Sequence, residues 1–99
     1  MDNVYMVHIT LPEFFHKQFY ELISLQNSLI NKLLADRVVL SYSLDMERNN
    51  LWVFISASSE KAVIDILDTF PIIREVKVSI HELAFFDSAP VALPQLNLN

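Results

Sequence analysis

Four stretches of this chain alternate apolar and polar residues with a period of two, and two recur at helical spacing. Their order is strand, helix, strand, strand, helix, strand. The strands are expected at Val4–Leu11, Val38–Asp45, Leu51–Ala57 and Glu75–Leu83. Successive strand side chains point to opposite faces, so each stretch offers one set to the helices: Val7/Ile9, Leu40/Leu44, Val53/Ile55 and Val76/Val78/Ile80. The other face receives Met6, His8, Thr10, Ser41, Ser43, Trp52, Phe54, Ser56, Lys77, Ser79 and His81. A face meant only for water would hold more charge and would not set Trp52 near Phe54. A covered, semi-polar chamber is therefore expected there.

The first helix is expected to begin at Pro12, whose missing N–H is harmless in a first helical turn, and to run to about Ala35. Phe15, Phe19, Leu22, Ile23, Leu29, Ile30 and Leu33 form its apolar stripe, and Lys17, Glu21, Gln26, Asn27 and Lys32 read as the solvated remainder. Ser59 is placed to cap the second helix, with Glu60 near the positive end of its dipole. Ala62, Val63, Ile66, Leu67 and Phe70 make its buried stripe, and Pro71 ends it. Two helices separated by a hairpin, with a strand at each end, give the split βαβ pattern of the α+β ferredoxin-like sandwich. Its usual strand order, 4-1-3-2, brings His8 close to Lys77–His81, with Trp52 and Phe54 on the other central strand facing the same way.

At 99 residues the chain is the size of one domain, read here as residues 1–88, followed by an extended tail over 89–99. Hydrophobic residues make up 53% of it, which is more apolar surface than one small core hides, so a homodimer or higher oligomer is expected. Phe85, Phe86, Val91, Leu93, Leu96 and Leu98 extend that expectation to the tail, which reads as packing on a neighbouring subunit. A net charge of −5 with scattered basic residues argues against nucleic acid and anionic membranes as partners. Neither a run of about 20 apolar residues nor a cationic leader is visible, so the reading is cytoplasmic. The absence of cysteine removes disulfides and thiolate chemistry. The absence of glycine argues against phosphate-cradling loops, and it leaves asparagine in Arg48-Asn49-Asn50 to take the left-handed turn conformation.

Three stretches carry a family resemblance: the first strand ending in Leu11-Pro12; Ser59, Glu60, Ala62, Asp65 and Leu67 running into Phe70-Pro71; and Val76-Lys77-Val78 leading to Leu83. Over about residues 4–88 the chain resembles the muconolactone δ-isomerase-like family of the dimeric α/β-barrel superfamily. The resemblance implies that two ferredoxin-like subunits close their open sheet faces into a barrel, and that isomerase members assemble further into rings. Unlike the isomerase members, the second strand, Val38-Val39-Leu40-Ser41-Tyr42-Ser43, holds no arginine.

Isomerising an unsaturated lactone moves a proton between carbons, which needs a base near neutrality and a donor for the developing enolate oxygen. His8 and His81 are the candidate catalytic bases; Lys77, by charge, and Ser79, Ser41 or Tyr42, by hydrogen bonding, are the candidate donors. Trp52 and Phe54 would stack on a planar small organic molecule, or else fill an interface core. The more ordinary reading of His8 is a histidine packed in a subunit interface and hydrogen-bonded to a neighbour. His8 and His81 together lack the third ligand a catalytic zinc needs, so neither metal nor cofactor is expected. His16 reads as surface, and Asp45, Glu47, Asp65, Asp68 and Glu82 as solvating charges. The expected function is a cofactor-free small-molecule-binding α/β-barrel protein, with isomerisation by proton transfer on a lactone or unsaturated organic acid as its chemistry. A non-enzymatic ligand-binding or structural oligomer, and a cofactor-free oxygenase, are the alternatives.

Overall fold

The computed structural model describes residues 2–89. In chain order it contains β1 (Asn3–Thr10), α1 (Lys17–Ala35), β2 (Val39–Leu44), β3 (Asn50–Ala57), α2 (Glu60–Leu67), a 3-10 turn (Ile73–Glu75) and β4 (Lys77–Glu82). The strands form one antiparallel sheet in the order β2-β3-β1-β4, the expected order read from the opposite edge. With both helices packed on one face, the arrangement is α+β and consistent with a ferredoxin-like sandwich. No helix among the described residues is long and apolar enough to cross a membrane.

The core lies between that face and the helices. Val7, Ile9, Val53 and Ile55 of the two central strands are fully buried against Phe19 and Ile30 of α1 and Val63 and Leu67 of α2. Each such side chain contributes roughly 1.5–3 kcal/mol through lost water contact. Phe70 and Ile72, just past α2, are buried in the same core. Ser59 caps α2 as expected, its hydroxyl accepting from the Ala62 N–H at 3.1 Å.

Three local expectations are corrected. α1 does not start at Pro12: His16 caps it, its Nδ1 accepting from the Phe19 N–H at 3.2 Å, and the chain between Pro12 and His16 stays non-helical. Satisfying an orphan N–H of the first turn sets the start at the cap rather than at the proline. In β2 a bulge between Val39 and Ser41 makes Leu40 an extra residue, so Val39, Tyr42 and Leu44 oppose the buried Ile55, Val53 and Leu51. Leu40 therefore does not share a face with Leu44, because one inserted residue reverses the alternation. In the β2–β3 hairpin, Arg48 rather than an asparagine takes the left-handed conformation, with φ of 61°. Asparagine is needed elsewhere in the same turn.

Beyond β4 the chain turns back over the uncovered face. The Leu83 N–H donates to the Val4 carbonyl at 3.0 Å, and Phe86 packs on Phe54 with ring centroids 5.4 Å apart. The expected packing of the tail on a neighbouring subunit concerns mainly residues 90–99, which lie outside the described residues.

Candidate functional site

The sheet face away from the helices gathers most of the residues singled out from sequence. Antiparallel register sets His8 of β1 between Trp52 of β3 and Ser79 of β4, with Met6 between Phe54 and His81 in the next layer. Thr10 lies between Asn50 and Lys77 in the layer beyond. Ser41 and Ser43 join the same face from β2, opposite Phe54 and Trp52. Tyr42 does not: alternating with Ser41 and Ser43, it pairs with Val53 on the helix side, where it cannot serve a ligand held by His8. The alternation across β1, β3 and β4 was readable because those strands carry no inserted residue.

His8 is held on two sides. Its ring stacks on Trp52, with centroids 5.7 Å apart and planes 21° from parallel. Its Nε2 lies 2.8 Å from Asn50 Oδ1. Asn50 is in turn fixed by Asp45, whose Oδ2 accepts from Asn50 Nδ2 at 2.9 Å. A carboxylate only accepts, so the Asn50 nitrogen faces Asp45 and its oxygen faces His8. An amide oxygen also only accepts, so His8 Nε2 must carry the hydrogen. In the neutral ring Nδ1 then keeps the lone pair of a base.

Asp45 does more than solvate the turn. Its Oδ1 accepts from the backbone N–H groups of Asn49, at 2.9 Å, and Asn50, at 3.1 Å. The Asn50 side chain, followed by the Asn50 backbone N–H, holds the Asp45 carboxyl below its ordinary range, against a smaller opposing effect of burial. The same interactions brace the hairpin around the left-handed Arg48. Asp45 and Asn50 belong to the candidate site, and both escaped the sequence reading. Asp followed five residues later by Asn across a short turn was the available signal, since Asx side chains bond nearby backbone.

Across from His8, the Ser79 hydroxyl and His81 Nε2 are 2.8 Å apart. His81 is thus diagonal to His8 rather than directly opposite it. Lys77 is exposed and lines a groove of about 330 Å³ with Thr10, Leu11, Pro12, Glu13 and Glu75 at the end of the sheet. Trp52 is 36% exposed, so part of its indole is open on this face. Among the described residues no group of three histidine, aspartate or glutamate side chains is arranged to hold a metal ion. The face therefore offers an oriented imidazole, a flat aromatic wall and neutral or cationic donors on one open surface.

The helix side of the sheet holds a second feature that the sequence reading missed. Gln26, expected among the solvated residues of α1, is 1% exposed. It lies between Ile23 and Ile30 at helical spacing and lines an apolar pocket of about 310 Å³ with Phe19, Tyr42 and Leu51. Burial pushes the Tyr42 hydroxyl above its ordinary value, and the neighbouring Gln26 side chain opposes that shift. No model of a known protein family matches the sequence, and no curated protein matches it either.

Proposed function

We propose that the open sheet face is a small-molecule site completed by a second copy of the chain, and that His8 acts there as the base of a cofactor-free proton transfer. The substrate class is an unsaturated organic acid or lactone. The Asp45–Asn50–His8 chain carries this reading, because an imidazole kept merely for packing has no need of a carboxylate-turned amide to set its tautomer. In the proposed reaction His8 Nδ1 removes a proton from the carbon between the carbonyl and the double bond. The electron pair moves into a dienolate, whose oxygen is held by Lys77 or the Ser79 hydroxyl. The proton returns at the far carbon, conjugating the double bond with the carbonyl. Trp52 provides a flat wall for such a planar intermediate. Pairing of two open faces, as the resemblance to dimeric α/β barrels implies, would exclude water from this surface and strengthen each electrostatic contact.

The test uses a β,γ-unsaturated five-membered lactone as probe, with absorbance following its conversion to the conjugated isomer and deuterium uptake reporting proton abstraction. His8→Asn should lower the protein-dependent rate by about 100-fold or more while leaving the sedimentation coefficient unchanged. A dimer or larger particle is expected in the same sedimentation run. Conversion and deuterium uptake indifferent to His8 would overturn the catalytic assignment, and a monomer at micromolar concentration would overturn the paired-face arrangement.

A second reading, a non-enzymatic ligand-binding or structural oligomer, is favoured by Phe86, which already covers Phe54 on the same face. Under it, His8 and Trp52 are interface packing. The probe would then bind or fail to bind without turnover, and His8→Asn would loosen the assembly instead.

A further inference from the structure

We infer that the pocket between α1 and the sheet is a binding site for a small, mostly apolar, neutral carbonyl compound, oriented by a hydrogen bond from Gln26 Nε2 to its oxygen. This site is on the opposite side of the sheet from His8 and stands independently of the function proposed there.

The Gln26 side chain is the starting point. Its Oε1 accepts from the backbone N–H of Ile72 at 3.5 Å, tying α1 to the segment that follows α2. Turning the amide over would set two donors against each other, so the Ile72 N–H fixes the oxygen's position and with it the nitrogen's. That nitrogen is buried and has no hydrogen-bond partner at ordinary distance: the Tyr42 oxygen is close enough to feel the amide but not to satisfy it. A buried donor left without an acceptor costs free energy that an apolar side chain of the same shape would not. Leucine or methionine would continue the stripe made by Ile23 and Ile30 at lower cost. A glutamine at this place is explained when something carrying an acceptor comes into the pocket.

The pocket has the size and lining for such a molecule. Its volume of about 310 Å³ is at the small end of the range that holds organic ligands. Leu11, Phe15, Phe19, Ile23 and Leu51 line it with hydrocarbon. The Tyr42 hydroxyl lines the same pocket and, with its proton held more tightly than usual by burial, offers a second donor. Both donors are neutral, and the one cationic lining residue, Arg48, is exposed at the surface. A carboxylate pushed in beside Gln26 would lose its hydration for neutral partners only, whereas a ketone, ester or lactone oxygen loses far less.

Acetophenone and ethylbenzene, nearly equal in size, separate the carbonyl from the hydrocarbon. In nitrogen–proton correlation spectra of the full chain, acetophenone should shift the Gln26 side-chain and Ile72 amide resonances. It should bind roughly three- to tenfold more tightly than ethylbenzene, the effect of one neutral hydrogen bond. In Gln26→Met, which keeps the length and removes the donor, the two compounds should bind alike. The wild-type comparison stands even where that variant does not fold. Equal affinity of the wild-type chain for both compounds would overturn the inference, as would resonances of Gln26 and Ile72 that do not move at millimolar acetophenone.

Discussion

His8 Nε2 and Asn50 Oδ1 are 2.8 Å apart, and Asp45 has already turned the amide so that its oxygen faces the ring. A histidine on β1 thereby has its tautomer set from the turn between β2 and β3. The contact spans 42 residues of chain and exists because β1 and β3 are neighbours in the sheet.

Removing the amide should free the ring. In Asn50→Ala the His8 nitrogen shifts are expected to move from a dominant Nε2–H tautomer toward a mixture. Any His8-dependent proton exchange should slow by roughly tenfold or more, the scale on which loss of an orienting partner acts. Side-chain nitrogen NMR on the wild type and variant checks the tautomer without reference to a substrate. An unchanged tautomer ratio would contradict the relay.

The hairpin should be sensitive to acid. Because the folded carboxyl of Asp45 titrates below its ordinary value of 3.8, its contribution to stability is complete above that pH. It is lost as the pH falls through the lower, folded value. Amide exchange at Asn49 and Asn50 should accelerate in that window, and Asp45→Ala, which removes the acceptor, should show the fast exchange at neutral pH as well. At the other end, Tyr42 titrates above its ordinary 10.0 in the folded chain, so stability should fall as the pH rises beyond 10.0. Tyr42→Phe should flatten that alkaline limb.

The start of α1 rests on an uncommon cap. His16→Ala removes the acceptor for the Phe19 N–H and is expected to cost about 0.5–1 kcal/mol, while His16→Ser should recover most of it. The same substitutions also remove the 3.3 Å contact of His16 with Glu75, which is exposed and worth little. Chemical denaturation of the variants measures the difference.

Within the core, Ile55→Ala should cost about 2–5 kcal/mol, because its side chain is fully buried between the sheet and the helices. Leu25→Ala on the outer face of α1, where the residue is 60% exposed, should change stability by no more than about 0.5 kcal/mol. A comparable loss in both would mean that the helix face carrying Leu25 is covered in the assembled protein.

How much of this was legible in the residues varies by element. The partition of β1, β3 and β4 into two faces follows from strict alternation, and His8, Trp52, Ser79 and His81 come out on one side because nothing interrupts it. β2 defeats the same reasoning in its first half, since the bulge at Leu40 leaves no mark in the hydrophobic pattern and buries Val39 where alternation from Leu44 expects Leu40. Tyr42 was readable as a helix-side residue from its alternation with Ser41 and Ser43. Gln26 was assigned by polarity rather than by its place in the stripe, and spacing would have served better.

From sequence alone come the order of elements, the buried face of three strands, the cap at Ser59 and the inventory of groups able to move a proton. These depend on local periodicity and on the chemistry of single side chains, which neighbouring residues determine. The partners of those groups were decided by tertiary structure: Asn50 for His8, Asp45 for Asn50, Phe86 for Phe54 and Ile72 for Gln26. The longer-range pairs depend on strand register and on how α1 lies across the sheet, and Asp45–Asn50 on the conformation of the turn. Packing over the whole core selects these together, and no local stretch of residues encodes them.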